Sequence, residues 1–251
     1  MKLARLPDGT PEIFHTLQGE GRSVGAPAVF IRASLCNLHC RWCDTDYTWN
    51  WEGTSYAHER DATPGYQKFR REDQIIDLSV EAIADLAAAY GCHRYVFTGG
   101  EPLLQEKDWV LLMKLLRDRA EQSLFEIETN GTLLPGDDFL GLISQCNVSP
   151  KLANSGVAEA LRYKADVLKS LARTGLADFK FVVGSEDDLA EILQLVEVNE
   201  LPADRIFLMP QARSVAELEE RQAAVAESAK QHGFHYSDRL HLRLFGARRG
   251  V

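Results

Sequence analysis

The stretch Cys36-Asn-Leu-His-Cys40-Arg-Trp-Cys43 brings three thiols into eight residues. It follows the apolar run Ala28-Val-Phe-Ile31, and this order predicts a strand that leads into a loop holding all three sulfurs. Thiolates select soft metals, mainly zinc and iron–sulfur clusters, and a structural zinc ion takes four protein ligands. The loop offers three thiolates, since the other two cysteines, Cys92 and Cys146, are isolated. The pattern therefore favours a cubane cluster with one iron open to a ligand that is not protein.

A zinc module is the non-enzymatic alternative for the same loop. It would use the three cysteines together with His39 as the fourth ligand. His39 directly precedes Cys40, so its side chain is poorly placed for an ion that Cys40 also binds. Metal analysis for iron against zinc under anaerobic conditions separates the two interpretations.

The composition predicts one large globular domain over residues 1–251. Hydrophobic residues make up 45% of the chain and charged residues 26%, as in ordinary soluble proteins. A net charge of −9 argues against a nucleic-acid surface, which usually carries a basic face. The first residues lack the apolar core of a signal peptide, and no apolar run approaches the roughly 20 residues of a membrane span. Five cysteines, three of them in one loop, argue against a secreted disulfide framework, so we expect a cytoplasmic protein.

Strand-like and helix-like segments alternate along the chain, which predicts parallel β/α architecture with the site at the carboxyl ends of the strands. The predicted strands are residues 28–32, 94–98, 125–129, a strand that ends at 147–151, then 178–183, 206–210 and 240–244. The predicted helices are residues 79–91, 109–117, 187–196 and 214–232, the last opened by a capping box of Ser214 and Glu217. Residues 12–22 are predicted to form a glycine-rich polar loop.

The hydrophobic pattern of the tract 47–77 fits neither the periodicity of a helix nor that of a strand. It mixes aromatic residues with charged ones, and a long loop in a compact domain is usually functional or disordered. Its aromatic residues argue against disorder. We expect either a lid over the pocket or a dimer contact, and the sequence leaves both open.

The spacing C-x3-C-x2-C, with Trp42 before the last thiol, resembles the signature of radical S-adenosylmethionine (radical SAM) enzymes. Thr98-Gly-Gly-Glu-Pro102 is similar to that superfamily's second motif. The resemblance covers nearly the whole chain and implies a partial, open parallel β/α barrel of about six strands. Further stretches resemble one family, the 7-carboxy-7-deazaguanine synthases of queuosine and deazapurine biosynthesis: residues 12–21, 43–45, 149–151 and 248–251.

This resemblance implies a ring-contracting lyase that uses a 4Fe-4S cluster, S-adenosylmethionine and Mg²⁺. Its substrate is 6-carboxy-5,6,7,8-tetrahydropterin, and its product is 7-carboxy-7-deazaguanine, formed with loss of ammonia. The adenosyl cofactor binds the open iron, yields a radical that takes the C6 hydrogen of the pterin, and is regenerated. A flavodoxin- or ferredoxin-type electron donor and a homodimer are further implications, with no nucleic-acid or membrane partner.

The resemblance also implies the cofactor sites. The loop cysteines Cys36, Cys40 and Cys43 would hold the cluster. Thr45 would hold magnesium, although Asp and Thr are also common turn residues. Glu128 is open to two interpretations, a residue of the barrel interior near the cofactor or a solvent-facing strand glutamate. The residues implied to contact S-adenosylmethionine are Trp42, Cys43, Asp44, Gly100, Glu101, Glu128, Ser149, Pro150, Lys151 and Gln211.

Substrate binding is implied for a second set. From the residues alone, Gln18 and Glu20 can read the donor and acceptor edge of a guanine-like ring, or they can belong to a surface turn. Arg32 can grip a carboxylate with its planar guanidinium, or it can be solvated. The last residue would act through its terminal carboxylate, against the alternative of a frayed terminus. The implied set is Leu17, Gln18, Gly19, Glu20, Arg32, Thr98 and Val251.

A radical activase, which takes hydrogen from a glycine of a partner protein, is the alternative enzyme class. It would share the cluster loop and the Gly-Gly-Glu-Pro motif, but it would not need Gln18, Glu20 or Arg32. Transfer of deuterium from a labelled pterin into deoxyadenosine separates the two classes.

Overall fold

A ten-stranded sheet covered by helices organises the chain, and the computed structural model describes residues 1–251 throughout. The strands are β1 (Lys2–Ala4), β2 (Ile13–Leu17), β3 (Pro27–Ala33), β4 (Ile75–Asp77), β5 (Arg94–Gly99), β6 (Leu124–Thr129), β7 (Gln145–Val148), β8 (Ala177–Val183), β9 (Ile206–Pro210) and β10 (His235–Tyr236). The helices are α1 (Arg71–Gln74), α2 (Val80–Ala88), α3 (Glu106–Arg119), α4 (Asp137–Leu140), α5 (Glu159–Arg162), α6 (Ala165–Arg173), α7 (Asp187–Val198), α8 (Val215–His232) and α9 (Leu240–Phe245). None of these helices combines the length and the apolar character that crossing a bilayer requires.

The strand order makes the sheet an open barrel. Neighbours follow the order β10-β9-β8-β7-β6-β5-β3-β1-β4, and β2 also pairs with β3. The strands from β3 through β5 to β10 run parallel, whereas β1, β2 and β4 pair antiparallel at the β3 edge. Strand β10 spans two residues and does not pair back to β3. The predicted partial, open barrel of parallel strands is therefore confirmed.

Alternation along each parallel strand separates the apolar core from the site. Phe97 on β5 points into the core, where its ring stacks on Trp109 of α3 with centroids 4.5 Å apart. Its neighbour Thr98 points to the opposite, concave face, because successive side chains of a strand face opposite sides. The same alternation sends Phe179 and Phe181 of β8 into the core and the intervening Lys180 into the barrel interior. Polar side chains in otherwise apolar strands thus collect inside the barrel.

Two predictions of local structure are wrong. Residues 13–17, predicted within a loop, form strand β2, because this segment pairs along β3 and Phe14 stacks on Phe30 at 5.4 Å. Residues 240–244, predicted as a final strand from alternating leucines, form helix α9 instead. In this helix Leu242 is buried against Ala212 and Leu218 while Leu244 is half exposed, so the alternation does not reflect a strand packed against the sheet.

The four predicted helices are present, with shifted ends. Ser79 caps α2 by accepting a hydrogen bond from Ala82 N at 3.2 Å. Ser214 caps α8 in the same way through Glu217 N at 3.2 Å. The carboxylate of Glu217 accepts from Arg213 N at 2.6 Å, outside the helix, so the predicted capping box is half formed.

The tract 47–77 divides into two parts. Its last residues form β4, which pairs with β1 and extends the sheet. Its earlier part contains short 3-10 turns at Asp46–Thr48 and Glu59–Ala62 and packs beside the cysteine loop. There the His58 ring hydrogen-bonds Cys43 O at 2.9 Å, and Glu59 N donates to Arg41 O at 2.8 Å. The earlier part of the tract therefore fixes the backbone of the cysteine loop.

Candidate active site

A single cavity of about 420 Å³ lies at the carboxyl ends of the parallel strands. The cysteine loop, the loop after β2, several strand ends and the end of the chain all contribute to its wall. Every predicted site residue lines this cavity except Glu101 and Pro150. The structure thus brings together residues that the sequence spreads from position 17 to position 251.

The three thiols of the loop are free; Cys40 is buried, and Cys36 and Cys43 are partly exposed. Burial raises the pKa of all three, to about 12 for Cys40, because a thiolate loses its hydration there. A bound metal ion offsets this cost, because its positive charge stabilises the thiolates that bind it. The loop is held from both sides, since Arg41 N donates to Ser155 O at 2.9 Å and His58 of the tract 47–77 hydrogen-bonds Cys43 O at 2.9 Å.

No three histidine, cysteine or acidic side chains converge closely enough to hold one metal ion. A single zinc ion needs that convergence, because all of its ligands must reach one centre. In a cubane each thiolate binds a different iron, so the sulfurs stand further apart. The side chains therefore offer no preformed site for a single zinc ion with His39.

The Gly-Gly turn at the end of β5 packs directly against the segment that leads into the cysteine loop. A Cβ on Gly100 would lie 2.0 Å from Leu35 O and 3.1 Å from Cys36 Cβ. Gly99 has φ +131°, and a Cβ there would lie 2.1 Å from Ala33 O. Glu101 N donates to Leu35 O at 2.8 Å, which ties the two segments together. The glycines therefore let this turn approach the cluster-binding loop as well as the cavity.

The carboxylate of Glu101 is fully buried and bonded within the protein. It accepts hydrogen bonds from Leu103 N at 3.0 Å, Thr129 Oγ1 at 2.8 Å and Asn130 N at 2.8 Å. These three bonds join the turn after β5 to the end of β6. The side chain of Glu101 thus joins these two segments and does not line the cavity.

A second wall contains an aromatic ring and a cation. Lys151 Nζ lies 5.6 Å from the centre of the Trp42 ring and donates to Ser149 Oγ at 2.9 Å. Trp42 Nε1 donates to Asn154 Oδ1 at 3.1 Å, which fixes the ring plane. Gln211 at the end of β9 closes this wall. Its mixed apolar and polar surface fits a nucleoside with a charged tail.

Glu20 forms the most strongly charged part of the cavity. Its carboxylate binds Lys180, and Arg239 Nε donates to it at 3.0 Å. Burial alone raises the pKa of Glu20, but the charges of Lys180, Arg239 and His241 outweigh it and hold that pKa well below its usual range. Glu20 is therefore an ionised carboxylate, suited to accept hydrogen bonds from the N–H edge of a guanine-like ring.

Lys180, Arg239 and His241 are site residues that the sequence analysis missed. Lys180 had a readable signal, since it is a lone cation inside the apolar strand 177–183. Arg239 and His241 precede or enter α9, which was predicted as a strand, and no motif marks them. Arg239 also binds the Asp44 carboxylate and so connects the cysteine loop to the Glu20 loop.

Glu128 lies in the barrel interior, which decides between its two predicted positions. Its carboxylate accepts from Thr98 Oγ1 at 2.7 Å and from Gln18 Nε2 at 3.2 Å. The three side chains come from β5, β6 and the loop after β2. They form a bonded row that orients the amide of Gln18 in the cavity.

Arg32 presents its guanidinium to the cavity from the end of β3. Its Nε donates to Glu12 Oε1 at 2.8 Å, while its two Nη atoms have no protein partner and are not buried. The charge of Glu12 is among the causes that raise the Arg32 pKa against the effect of burial, and Arg32 stays cationic. The free edge of this guanidinium can bind a carboxylate through two parallel hydrogen bonds.

Thr45 lies beside the last cysteine of the loop. Its Oγ1 is 3.6 Å from Cys43 Sγ and makes no bond to the backbone of the turn that follows. Thr45 lines the cavity, and its hydroxyl, whose one hydrogen-bond partner is Cys43 Sγ, can offer an oxygen lone pair to a hard cation.

The family model and the curated relatives agree on one family, and a solved structure shares its fold. Residues 31–210 match the model of the Radical SAM superfamily. A 7-carboxy-7-deazaguanine synthase of Pyrobaculum aerophilum is 33% identical over 240 residues, which cover 95% of this chain and 95% of the relative. One of Rhodopirellula baltica is 36% identical and covers 96% of this chain and 87% of the relative. The crystal structure of QueE from Escherichia coli shares the fold, with a TM-score of 0.65 at 23% identity over 96% of this chain and 95% of that one.

Proposed function

The chain belongs to the radical SAM superfamily and within it to the 7-carboxy-7-deazaguanine synthases, and from this premise we propose that it converts 6-carboxy-5,6,7,8-tetrahydropterin into 7-carboxy-7-deazaguanine with loss of ammonia. The observation that carries the proposal is one cavity whose wall includes the three loop thiols, the ionised Glu20 and the free edge of Arg32. We call the wall with the loop thiols the cysteine half, and the wall with Glu20 and Arg32 the substrate half.

The cofactors belong to the cysteine half. Cys36, Cys40 and Cys43 would hold a 4Fe-4S cluster, and the wall around Trp42 and Lys151 would hold S-adenosylmethionine. When bound, this pair supplies one-electron radical chemistry that the side chains of the protein cannot perform. The chain itself fixes the backbone of the loop through His58 and the Gly-Gly turn.

The substrate half orients the pterin by its two polar ends. The Nη atoms of Arg32 would bind the 6-carboxylate, and the Glu20 carboxylate would accept from the N–H groups of the pyrimidine edge. Lys180 and Arg239 keep Glu20 ionised for this task. A substrate held at both ends presents one ring carbon to the cofactor half, which is the geometric control a radical reaction needs.

Magnesium would bind next to this substrate. The hydroxyl of Thr45 supports the assignment, because its one hydrogen-bond partner is Cys43 Sγ and Thr45 lines the cavity beside the cysteine loop. The ion would join Thr45 to oxygen atoms of the substrate and thereby orient it.

The reducing electron would come from a flavodoxin or ferredoxin, and two copies of the chain would form a homodimer. Both proposals rest on the family. All five cysteines are free thiols, which supports a reducing compartment such as the cytoplasm.

The test is anaerobic reconstitution with iron and sulfide, followed by assay with the pterin deuterated at C6. We expect 7-carboxy-7-deazaguanine and ammonia in equal amounts, with deuterium transferred to the adenosyl cofactor. Cys92→Ala is a matched control for handling of thiols, because Cys92 lies outside the cavity.

A preparation that assembles the cluster and binds S-adenosylmethionine but leaves the pterin unchanged would contradict the proposed function. Deuterium transfer from a partner protein instead would support an activase.

A further inference from the structure

Glu12 is a fully buried carboxylate that joins two arginines from opposite ends of the chain. Its Oε1 accepts from Arg32 Nε at 2.8 Å and from the Tyr47 hydroxyl at 3.1 Å. Its Oε2 accepts from Arg249 Nη2 at 2.9 Å. A buried carboxylate of this kind needs compensating charge, and here both cations supply it.

Arg249 occupies a socket built from three separate segments. Its guanidinium lies 3.5 Å from the centre of the Tyr47 ring, which is the geometry of a cation–π contact. Its Nη2 also donates to Arg5 O at 2.8 Å, and its Nη1 donates to Gln74 Oε1 at 3.3 Å. These contacts hold the last turn of the chain so that Val251 lines the cavity.

The docking of Arg249 changes the charge balance around Arg32. Without Arg249, the Glu12 carboxylate would neutralise Arg32. With Arg249 docked, Glu12 is shared between two guanidinium groups and neutralises Arg32 less completely. Glu128 is the other carboxylate that acts on Arg32, and it also interacts with Lys180, so neither carboxylate is paired with Arg32 alone.

We propose that Arg249 is a positioning residue that couples docking of the chain end to carboxylate binding by Arg32, through the shared Glu12. The inference rests on the proposed function, which supplies a substrate with a carboxylate. Coupling between two sites is reciprocal, so a bound carboxylate also holds the chain end in its socket. The tail and Arg32 therefore close on the substrate together.

Two measurements test this coupling on the full chain with its cluster. The first is the equilibrium dissociation constant of the pterin, and the second is hydrogen exchange of residues 245–251 with and without pterin. For Arg249→Ala we expect affinity to fall about tenfold, within the usual range of such couplings, and the substrate-dependent protection of the tail to disappear. Arg249→Lys keeps the charge but loses the planar stack and fork, so its affinity should be intermediate.

Arg243→Ala is the matched control, because Arg243 lies in the same terminal segment but binds Asp238 and Gln222 outside the cavity. It should leave both readouts unchanged. In a Glu12→Gln background, Arg249→Ala should have a smaller effect on affinity, since the shared carboxylate is gone.

Equal pterin affinity in Arg249→Ala and the unmodified chain, or unchanged tail protection, would overturn the coupling. If the unmodified chain with its cluster fails to bind the pterin at all, the proposed function fails instead. The two failures are therefore distinguishable.

Discussion

Arg239 Nε donates to Glu20 Oε1 at 3.0 Å across a sequence separation of 219 residues. This bond ties the segment before the last helix to the loop after β2. Since Arg239 also binds Asp44, one guanidinium connects the substrate half of the cavity with the cysteine half. The residue that makes this connection belongs to no recognisable motif.

Removing Lys180 should make substrate binding sensitive to acid. In the unmodified chain the pKa of Glu20 is held low, so the carboxylate stays ionised and affinity should be flat between about pH 5 and 8. In Lys180→Gln, burial is opposed by fewer charges and the pKa of Glu20 rises. Its affinity for the pterin should then fall as the pH falls, measured by equilibrium binding under anaerobic conditions.

Lys230→Gln serves as the control for that experiment, because Lys230 is exposed on α8 and pairs only with Glu227. Parallel pH profiles for Lys180→Gln and the control would show that Lys180 does not set the ionisation of Glu20.

Each loop cysteine should be required for the cluster. Alanine at position 36, 40 or 43 removes one thiolate ligand, so we expect loss of the brown absorbance, of bound iron and of activity. Cys146→Ser and Cys92→Ala, which change thiols outside the cavity, should keep their iron. Full iron content and activity in any of the three loop variants would refute the assignment.

Arg32→Ala should weaken pterin binding and leave the cluster intact. The variant loses the charged fork and leaves Glu12 paired with Arg249 alone, so we expect a loss of about 2–5 kcal/mol in binding free energy. Arg32→Lys should recover part of the lost binding free energy, because it keeps the positive charge but loses the bidentate hydrogen bonds of the guanidinium. The assignment fails if iron content falls as far as affinity does, since that pattern indicates structural damage.

Thr45→Ala should reduce the dependence of the rate on magnesium. The variant lacks the hydroxyl that lies 3.6 Å from Cys43 Sγ and faces the cavity. Thr45→Ser retains the oxygen and should respond to magnesium as the unmodified chain does. An unchanged magnesium response in Thr45→Ala would remove Thr45 from the metal site.

Gly100→Ala should displace the cysteine loop. The new Cβ would meet backbone atoms of Leu35 at 2.0 and 2.6 Å, and overpacking of this kind costs about 1–3 kcal/mol. We expect a lower melting temperature and reduced iron content. Gly141→Ala is the control, because Gly141 has φ −69° and a Cβ there lies 3.3 Å from its nearest neighbour. Normal iron content in Gly100→Ala would show that the loop adapts.

Features carried by contiguous residues were predictable. The cysteine spacing gave the cluster loop, the Gly-Gly motif after an apolar strand gave the turn beside it, and alternation of elements gave the open parallel barrel. Each of these signals depends on short spacing along the chain, which local geometry converts directly into structure.

Features that depend on distant pairing were not predictable. Lys180 and Arg239, the partners of Glu20, and Arg249, one partner of Glu12, lie 160 to 237 residues away, so no local pattern reveals them. Alternating leucines at 240–244 suggested a strand, but contacts with Ala212 and Leu218 made the segment a helix.

The sequence by itself determined the cluster-binding chemistry and the fold class. The first follows from the spacing of the cysteines, and the second from the alternation of strand and helix patterns along the chain. Only the tertiary structure decided which charges surround the substrate half, that Glu101 is bonded within the protein, and that Arg249 reaches Glu12. These outcomes follow from the strand order and from the return of the chain end to the barrel mouth. Those long-range arrangements alone determine which side chains share one buried space.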